Sequence, residues 1–178
     1  MLAGPEGAGK SHLAAIWAQA AGARRVAARS LEESKLPATL ATGALVVEDA
    51  VPGRFDERAL FHLLNLARED EAFVLLTART SPAGWPLSIR DLASRLKALP
   101  VVTLTAPDEP LLRAILVKLF ADRQLSVDEA LIGYLATRIE RSFAAARAVV
   151  ARLDEEAMRR QRPLTRALAA EVLRGEGA

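Results

Sequence analysis

The residues that most clearly predict chemistry lie near the start of the chain, in the run Gly4-Pro5-Glu6-Gly7-Ala8-Gly9-Lys10-Ser11. This run fits the pattern G-x-x-x-x-G-K-[ST] of a phosphate-binding loop. Glycines let main-chain N–H groups close around phosphate oxygens, and the helix that follows points its positive end at them. The pattern assigns Lys10 to the β- and γ-phosphates and the Ser11 hydroxyl to Mg²⁺. We therefore expect a nucleotide site formed by Gly4, Gly7, Ala8, Gly9, Lys10 and Ser11, with His12 on the helix beside it.

Two carboxylates form a second candidate cluster, at the end of the apolar run Leu45-Val46-Val47. Glu48 and Asp49 follow this run directly, and a P-loop ATPase keeps its metal ligand and water-positioning acid at such a strand end. Adjacent side chains on a strand point to opposite faces, so the two carboxylates are expected to have different jobs. The alternative interpretation is a pair of solvated acids at the end of a strand.

The elements around these motifs alternate between strands and helices over the first 105 residues. Short apolar, β-rich runs predict strands, and patterns with helical spacing predict helices between them. This alternation favours an α/β domain, in which a parallel sheet carries helices on both faces. The predicted strands are Arg25–Ala28, Ala44–Glu48, Ala72–Thr77 and Val101–Thr105, and the predicted helices are Lys10–Ala21, Asp56–Ala67 and Ile89–Ala98.

After residue 105 the strand signal ends and four helical patterns follow. Asp108 and Ser126 are predicted to cap the first two helices, because their side chains can accept hydrogen bonds from free N–H groups. The third helix is predicted to run from Ser142 to Arg160, and the last from Thr165 to Leu173. The sequence thus predicts a nucleotide-binding α/β domain over 1–105 and a small helical domain over 106–178.

Arginine dominates the basic residues, which outnumber the acidic ones by only 24 to 22. A net charge of +2 is too small to predict nucleic-acid binding by itself. Many arginines fall in the predicted helices of the second domain, next to Glu140, Asp154, Glu155 and Glu156. They form either a solvated, ion-paired face or a surface for nucleic acid or an acidic partner. These residues are Arg138, Arg141, Arg147, Arg152, Arg159, Arg160 and Arg162.

Composition excludes several other classes of protein. The 178 residues are 51% hydrophobic and 26% charged, which is typical of a folded globular chain. Cysteine is absent and only two histidines occur, so disulfide frameworks, thiolate metal sites and histidine-rich metal sites are excluded. The sequence has no apolar run long enough for a membrane span, and its first residues lack the pattern of a signal peptide. These features predict a cytoplasmic protein with no membrane contact.

Taken in order, these segments resemble the AAA+ ATPases, and among them the group of the bacterial replication initiator DnaA and its regulatory inactivator Hda, with Hda the nearer. The phosphate loop is common to many families, whereas a Ser-Arg-Leu helix before a strand, followed by a helical lid, is a narrower signal. The resemblance implies a sheet with strand order 5-1-4-3-2 and a nucleotide between the sheet domain and the lid. The segments that carry it are GPEGAGKSHL, LVVEDA, VLLTARTSP, DLASRLKAL and IERSFAAARAVVARLD.

The resemblance also implies roles for the acidic pair and for the strand that follows it. Glu48 and Asp49 match the Walker B acids, with Glu48 beside Ser11 as the metal-side acid and Asp49 as the water-side acid. The family more often has Asp-Asp or Asp-Glu, so this order implies weak or no intrinsic ATPase activity. In the sensor 1 region, Arg79 stands where the initiators carry an acid, so the polar contact to the nucleotide is expected from Thr77 or Thr80.

Two arginines complete the site that the resemblance implies. Arg95, in Ser94-Arg95-Leu96, matches the arginine finger that one subunit inserts into the ATP site of a neighbour. A guanidinium suits this task because it is always charged and pairs with two phosphate oxygens at once. The alternative is an ordinary surface arginine beside Lys97. The sensor 2 position of the lid aligns with Ala144, which leaves Arg141 as the nearest substitute.

The implied function is regulation of replication initiation. A protein similar to Hda binds ATP or ADP with Mg²⁺, pairs with ATP-bound DnaA and presents Arg95, so that DnaA hydrolyses its ATP at the sliding clamp of DNA polymerase. Only Met1-Leu2-Ala3 precede the phosphate loop, so we expect the clamp-binding motif and the first strand in an N-terminal segment not contained in this chain. The DNA-binding domain of an initiator does not follow the lid, so no direct sequence-specific DNA binding is expected.

Two other classes of function share the phosphate loop. The first is an autonomous ATPase that assembles on DNA as an initiator or loader, with homo-oligomerisation as an open alternative to pairing with DnaA. The second is a small-molecule kinase, which should carry an arginine-bearing lid insertion. The compact helical region after residue 106 does not resemble such a lid.

Overall fold

The structure is a computed structural model, and it describes residues 1–174. The chain divides into two compact units, the first from Met1 to Thr105 and the second beginning at Ala106. Each unit contains its own cluster of buried apolar side chains, so each has its own hydrophobic core.

The first unit is built on a parallel sheet of five strands, whose order is β2-β3-β4-β1-β5. This order is the predicted 5-1-4-3-2 written from the opposite edge, and it confirms the α/β fold. The expectation that the strand before the phosphate loop lies outside this chain was wrong, because the residues directly before the loop form the short strand β1, which pairs with β4 on one side and β5 on the other. The strands are β1 (Leu2–Ala3), β2 (Arg24–Ala27), β3 (Ala44–Glu48), β4 (Phe73–Ala78) and β5 (Val102–Thr103).

Eight helices complete the part of the chain that the structure describes. The first coincides with its predicted bounds, and the third has Asp56 as its N-cap. The second helix, of only five residues, was not predicted. The helices of the first unit are α1 (Lys10–Ala21), α2 (Leu36–Leu40), α3 (Glu57–Glu69) and α4 (Arg90–Ala98), and those of the second are α5 (Glu109–Asp122), α6 (Glu129–Ala136), α7 (Phe143–Arg160) and α8 (Arg166–Arg174).

Helices cover both faces of the sheet, because the apolar side chains of the central strands alternate between the two faces. Leu45 and Val47 of β3 join the larger core with α2, α3 and α4. Val46, between them, packs against Ala14 and Ala18 of α1 on the opposite face. The strand is therefore buried on both sides, as its unbroken apolar run predicts, and its carboxyl end lies at the edge of the sheet where α1 begins.

The second unit consists of α5, α6, α7 and α8 around a core of leucine, valine and alanine side chains with Phe120. Its cap residues explain where the helices begin. Asp108 and Ser142 accept hydrogen bonds from Leu111 N and Ala145 N, as predicted. The prediction of Ser126 as the cap of the next helix was wrong, since Asp128 accepts from Leu131 N at 2.7 Å instead.

Among residues 1–174, no helix is long and apolar enough to cross a membrane.

Candidate nucleotide-binding site

The glycine loop joins β1 to α1, and its backbone requires glycine at two positions for different reasons. Gly9 is the N-cap of α1 and adopts φ 89°, a left-handed conformation that is unfavourable for residues other than glycine. Gly4 lies against β5, where a Cβ would overlap the Leu104 carbonyl oxygen. Its N–H donates to Ala78 O at 3.2 Å, which ties the start of the loop to the end of β4. Gly4 is therefore fixed by the sheet, and Gly9 by the turn into the helix.

Most main-chain donors of the loop have no partner in the part of the chain that the structure describes. Ala8 N donates to Pro5 O at 3.3 Å. By contrast, the N–H groups of Gly7, Gly9, Lys10 and Ser11 have no acceptor among residues 1–174. Free N–H groups in a turn before a helix, together with the positive end of the helix dipole, form a typical anion site. The loop therefore fits the polyphosphate of a nucleotide.

Lys10, the first residue of α1, lies over the loop that precedes it. Its Nζ donates to Gly4 O at 2.8 Å and to Pro5 O at 2.7 Å. An ammonium has three donors, so one remains for a ligand. Burial and the nearby guanidinium of Arg79 lower the pKa of Lys10, while Asp49 and Glu6 act in the opposite direction. The lysine is thus held at the loop by carbonyl oxygens and surrounded by other charged groups.

The two acids of the predicted pair have different surroundings. Glu48 is the last residue of β3, and its two carboxylate oxygens accept from Nη2 of Arg25 on β2, at 2.9 and 3.0 Å. Asp49 follows with φ 55° and an exposed side chain, and it is the acid whose charge acts on Lys10. The adjacent carboxylates therefore have different surroundings: Glu48 is paired with Arg25, whereas Asp49 is exposed and has no ion pair among residues 1–174. The assignment of Glu48 as the metal-side acid stays a prediction.

Thr77 fixes the backbone that carries Asp49. The side chain of Thr77 is buried, and its Oγ1 accepts from Asp49 N at 3.0 Å. The Thr77 carbonyl oxygen accepts from Ala50 N at 2.8 Å. Thr80, the other predicted sensor 1 residue, accepts instead from Nε1 of Trp85, which is buried in the core. Of the two threonines, Thr77 is therefore the one that contacts the candidate site.

Arg79 is a site residue that the sequence reasoning did not select. It follows the end of β4 and forms an ion pair of 2.8 Å with Glu6 of the glycine loop. Its position could have been inferred from the predicted strand order, because β4 is the neighbour of β1 and the carboxyl ends of parallel strands meet at one edge. Arg25 was also missed, because nothing in the local pattern marks it as the partner of Glu48.

Arg95 lies on α4 and is half-buried. Its guanidinium stacks over the ring of Phe61 on α3, with Cζ 5.3 Å from the ring centroid. Such contacts stabilise by about 0.5–1 kcal/mol at exposed sites, so the stem of Arg95 has a preferred direction. The contact does not involve a carboxylate, which leaves the charge of the guanidinium available.

Glu57, on α3, anchors the start of the helix that carries Arg95. It accepts from Ser88 N, Ser88 Oγ and Ile89 N at 2.8–3.2 Å, immediately before α4 begins. Burial by itself would raise the pKa of Glu57, but the hydrogen bonds from Ile89 and Ser88 outweigh it and lower the pKa. A carboxylate at this position also complements the positive end of the helix.

The remaining predicted residues are exposed. Ser11 and His12 lie in the first turn of α1, with their side chains in solvent. Arg141 belongs to the second unit, directly before Ser142, and is exposed as well. Ala144, which aligns with the sensor 2 position, is the second residue of α7.

Oxygen atoms at the loop could also serve as ligands for Mg²⁺. Within residues 1–174 there is no group of three or more carboxylate, imidazole or thiolate side chains that could hold a metal ion alone. Mg²⁺ beside a nucleotide needs less, because phosphates and waters supply most of its ligands and the protein adds one or two oxygens. The Ser11 hydroxyl and the carboxylates of Glu48 and Asp49 are oxygens of this kind.

Comparison by sequence finds no protein-family model and no curated protein that matches the chain. Solved structures match its fold. Domain III of the Thermotoga maritima replication initiation protein DnaA aligns with 98% of this chain and 82% of its own length, with a TM-score of 0.82 and 18% identity. The Thermotoga maritima RuvB Holliday junction branch migration motor aligns with 97% of this chain, with a TM-score of 0.77 and 20% identity.

A third match is the replication initiator DnaA bound to AMPPCP and single-stranded DNA, with a TM-score of 0.69 and 18% identity over 90% of this chain. This chain spans 60% of the RuvB chain and 57% of the chain in that DnaA complex. At such low identity the likeness concerns the fold alone. The chain therefore shares the α/β fold of these AAA+ ATPases, as the sequence motifs led us to expect.

Proposed function

We propose that the chain binds ATP or ADP with Mg²⁺ and regulates replication initiation in the way that its resemblance to Hda implies. The observation that carries the proposal is the glycine loop, whose free N–H groups and Lys10 ammonium form an anion site at the start of α1. The likeness to DnaA domain III supports a role in replication. The likeness to DnaA bound to AMPPCP supports an adenine nucleotide.

In this proposal each loop residue has a separate task. Gly7, Gly9 and Lys10 hold the phosphates, and the Ser11 hydroxyl holds Mg²⁺ together with Asp49. When bound, the nucleotide with its Mg²⁺ supplies the polyphosphate charge that these donors complement. His12 lies beside the nucleotide, and Arg141 provides the contact from the lid.

The pairing of Glu48 with Arg25 supports weak or no intrinsic ATPase activity. The guanidinium of Arg25 competes with water or a metal ion for the two carboxylate oxygens of Glu48, both of which accept from its Nη2. In this proposal the chain activates ATP hydrolysis by another protein and is not an efficient ATPase by itself.

The activating group in this proposal is Arg95, and the partner is ATP-bound DnaA on the sliding clamp. An arginine finger stabilises the charge that develops on the transferred phosphoryl group and increases the rate by about 10³–10⁵. Arg95 is free of carboxylate partners among the described residues and is directed by Phe61. Both properties suit a guanidinium that must enter the site of a neighbouring protein.

The test is phosphate release from ATP-bound DnaA, with DNA, the sliding clamp and this chain. We expect stimulation by the wild type, a loss of about 100-fold or more with Arg95→Ala, and normal stimulation with Lys97→Ala, which removes an exposed charge from the same helix. If the wild type and Arg95→Ala stimulate equally, the arginine-finger role is wrong. Binding of labelled ATP to the chain alone tests the nucleotide site separately.

The likeness to a branch migration motor favours a second candidate, an autonomous ATPase that acts on DNA. This candidate requires hydrolysis by the chain alone, increased by DNA. Steady-state phosphate release without DnaA distinguishes the two, because the activator proposed above releases little phosphate by itself.

A further inference from the structure

The second unit carries a group of arginines that the nucleotide site does not use. Arg138, just after α6, and Arg166 of α8 stack on the ring of Tyr134, and Arg174 lies further along α8; we refer to these four residues as the arginine–tyrosine cluster. They line an open cavity of about 560 Å³ together with Ala167 and Ala170. The charged residues that line this cavity are all cations.

Helical spacing explains how the cluster is formed. Arg138 lies in the turn that follows α6, four residues after Tyr134, and Arg166, Ala170 and Arg174 are spaced by four within α8. Residues with this spacing lie on one face of a helix. Alanine between the two arginines of α8 keeps the cavity open, because its side chain is a single methyl group.

Tyr134 holds two of the guanidiniums in place. Cζ of Arg138 lies 4.1 Å from the ring centroid, and Cζ of Arg166 lies 5.1 Å from it. Stacking on an aromatic ring orients the planar guanidinium and leaves its N–H groups free for a ligand. The cluster is therefore ordered before any ligand binds, which reduces the entropy cost of binding.

The charges of the cluster are not balanced by carboxylates. Across residues 1–174, Arg138, Arg166 and Arg174 form no ion pair, although Arg138 donates to Thr137 Oγ1 and Arg174 donates to Ala170 O. The paired arginines of the same unit differ: Arg159 and Arg160 both pair with Glu156 at 2.6 Å. Guanidiniums that share one cavity repel each other, and a bound anion would relieve that repulsion.

Arg166 also has an unfavourable position in its helix. It is the first residue of α8, and the first turn of that helix contains no acid. A cation at the positive end of a helix is disfavoured, whereas an anion there is stabilised. A cation that opposes this rule and has no carboxylate partner among the described residues is a candidate for function.

We propose that the arginine–tyrosine cluster binds phosphate esters, carried either by a nucleic-acid backbone or by a free nucleotide. A phosphate group offers more acceptor oxygens and more charge than a carboxylate, so it satisfies several guanidiniums at once. The exposed faces of guanidiniums stacked on tyrosine also suit a nucleobase. This site does not depend on the function proposed above, because it uses none of the loop residues.

The experiment measures binding of a labelled oligodeoxythymidine of about 16 nucleotides, a length of the order of known single-strand sites. The full chain carries Lys10→Ala, which weakens nucleotide binding at the loop. We compare it with the same chain carrying Arg138→Ala and Arg166→Ala, and with a control carrying Arg159→Ala and Arg162→Ala. The expected result is at least a tenfold loss of affinity for the cluster variant only. The slope of log affinity against log salt should become shallower by about 0.7 for each phosphate that the variant no longer neutralises.

Competition identifies the source of the phosphate. If pyrophosphate or ATP displaces the oligonucleotide at concentrations near the dissociation constant of the oligonucleotide, the ligand is a free phosphate ester. If neither displaces it, the ligand is a nucleic-acid backbone. Equal affinities of the cluster variant and the control overturn the proposal, as does displacement by polyglutamate as efficient as that by pyrophosphate. Arg138→Gln removes the charge but keeps most of the side-chain stem, so its affinity for the oligonucleotide tests the proposal if the double variant unfolds.

Discussion

Lys10 and Glu57 of the sheet unit are held in a different way from Arg160 and Arg138 of the helical unit. Main-chain groups hold the first two: Lys10 Nζ donates to two loop carbonyls, and Glu57 accepts from main-chain N–H groups. Other side chains hold the second two, since Arg160 pairs with two carboxylates and Arg138 stacks on Tyr134. Main-chain positions follow from the strand order, whereas exposed side-chain pairs are weak and screened by salt.

The difference indicates how each region responds to change. A site supported by the main chain fails when the backbone is disturbed, even if every charged residue remains. A site supported by side chains tolerates backbone changes elsewhere but depends on ionic strength. Substitutions that alter either the backbone or a single charge test this distinction.

The largest effect is expected from Gly4→Ala, which alters only the backbone support of the loop. The new Cβ would overlap the carbonyl oxygen of Leu104, so β1 and β5 must separate. We expect the free energy of unfolding to fall by about 3 kcal/mol, the upper part of the range for overpacking, and nucleotide binding to be lost. Urea denaturation measures the first and labelled ATP the second.

Gly84→Ala is the matched control, since Gly84 has an ordinary φ and no atom within 4 Å of an added Cβ. Its free energy of unfolding should stay within about 0.5 kcal/mol of the wild type. If the two alanine variants are equally stable, the close approach of Gly4 to β5 does not support the loop.

Lys10→Ala removes the charge but leaves the backbone of the loop intact. We expect affinity for ATP to fall by about 10- to 100-fold, because a hydrogen bond between charged groups contributes about 1.5–3 kcal/mol, with little change in the free energy of unfolding. Calorimetric titration with ATP measures the loss. Lys118→Ala, which breaks an exposed pair with Asp122, is the control and should bind ATP normally.

Neutralising Asp49 and Glu48 one at a time separates their roles. Mg²⁺ should increase the affinity for ATP about tenfold less in Asp49→Asn than in the wild type, because a neutral amide binds Mg²⁺ more weakly than a carboxylate. Glu48→Gln should change it by less than about twofold, since the ion pair with Arg25 is partly exposed and weak. Titration with ATP in Mg²⁺ and in EDTA provides the comparison, and the reverse order would restore Glu48 as the metal-side acid.

The smallest effect concerns Glu57, and it is present at neutral pH and lost in acid. Its pKa is lowered in the folded chain, so its stabilisation is complete above the unfolded pKa of about 4.3. That stabilisation is lost as the pH falls through the lower, folded value. Glu57→Gln should therefore lose roughly 1 kcal/mol of stability at neutral pH, and the difference from the wild type should disappear in strong acid. A constant difference from pH 7 to acid would mean that the carboxylate charge is not involved.

The sequence predicts those parts of the fold that have a local signal. The glycine loop and α1 are marked by residue types at fixed spacing, and the resemblance supplied the strand order. β1 could not be recognised as a strand from two residues, because periodicity needs a longer run. Ser126 and Asp128 are both good capping residues two positions apart, and propensity alone does not choose between them.

The charged contacts of the site lie beyond local prediction. Arg79 meets Glu6 and Arg25 meets Glu48 only because their strands are neighbours in the sheet. Strand order predicts which ends of the strands meet but not which side chains pair there. The arginine–tyrosine cluster was hidden for the same reason, since its members come from two helical segments that the sequence treats separately.

At position 49, selection for stability and selection for ligand binding favour different residues. Its φ of 55° would be relaxed in glycine, whereas a side chain there stores strain of about 1 kcal/mol. Asp49→Gly keeps the N–H that donates to Thr77 and releases part of that strain, although glycine has more freedom in the unfolded chain. A selection for thermal stability alone would therefore tend to accept glycine at this position, and a selection for Mg²⁺-dependent nucleotide binding would remove it.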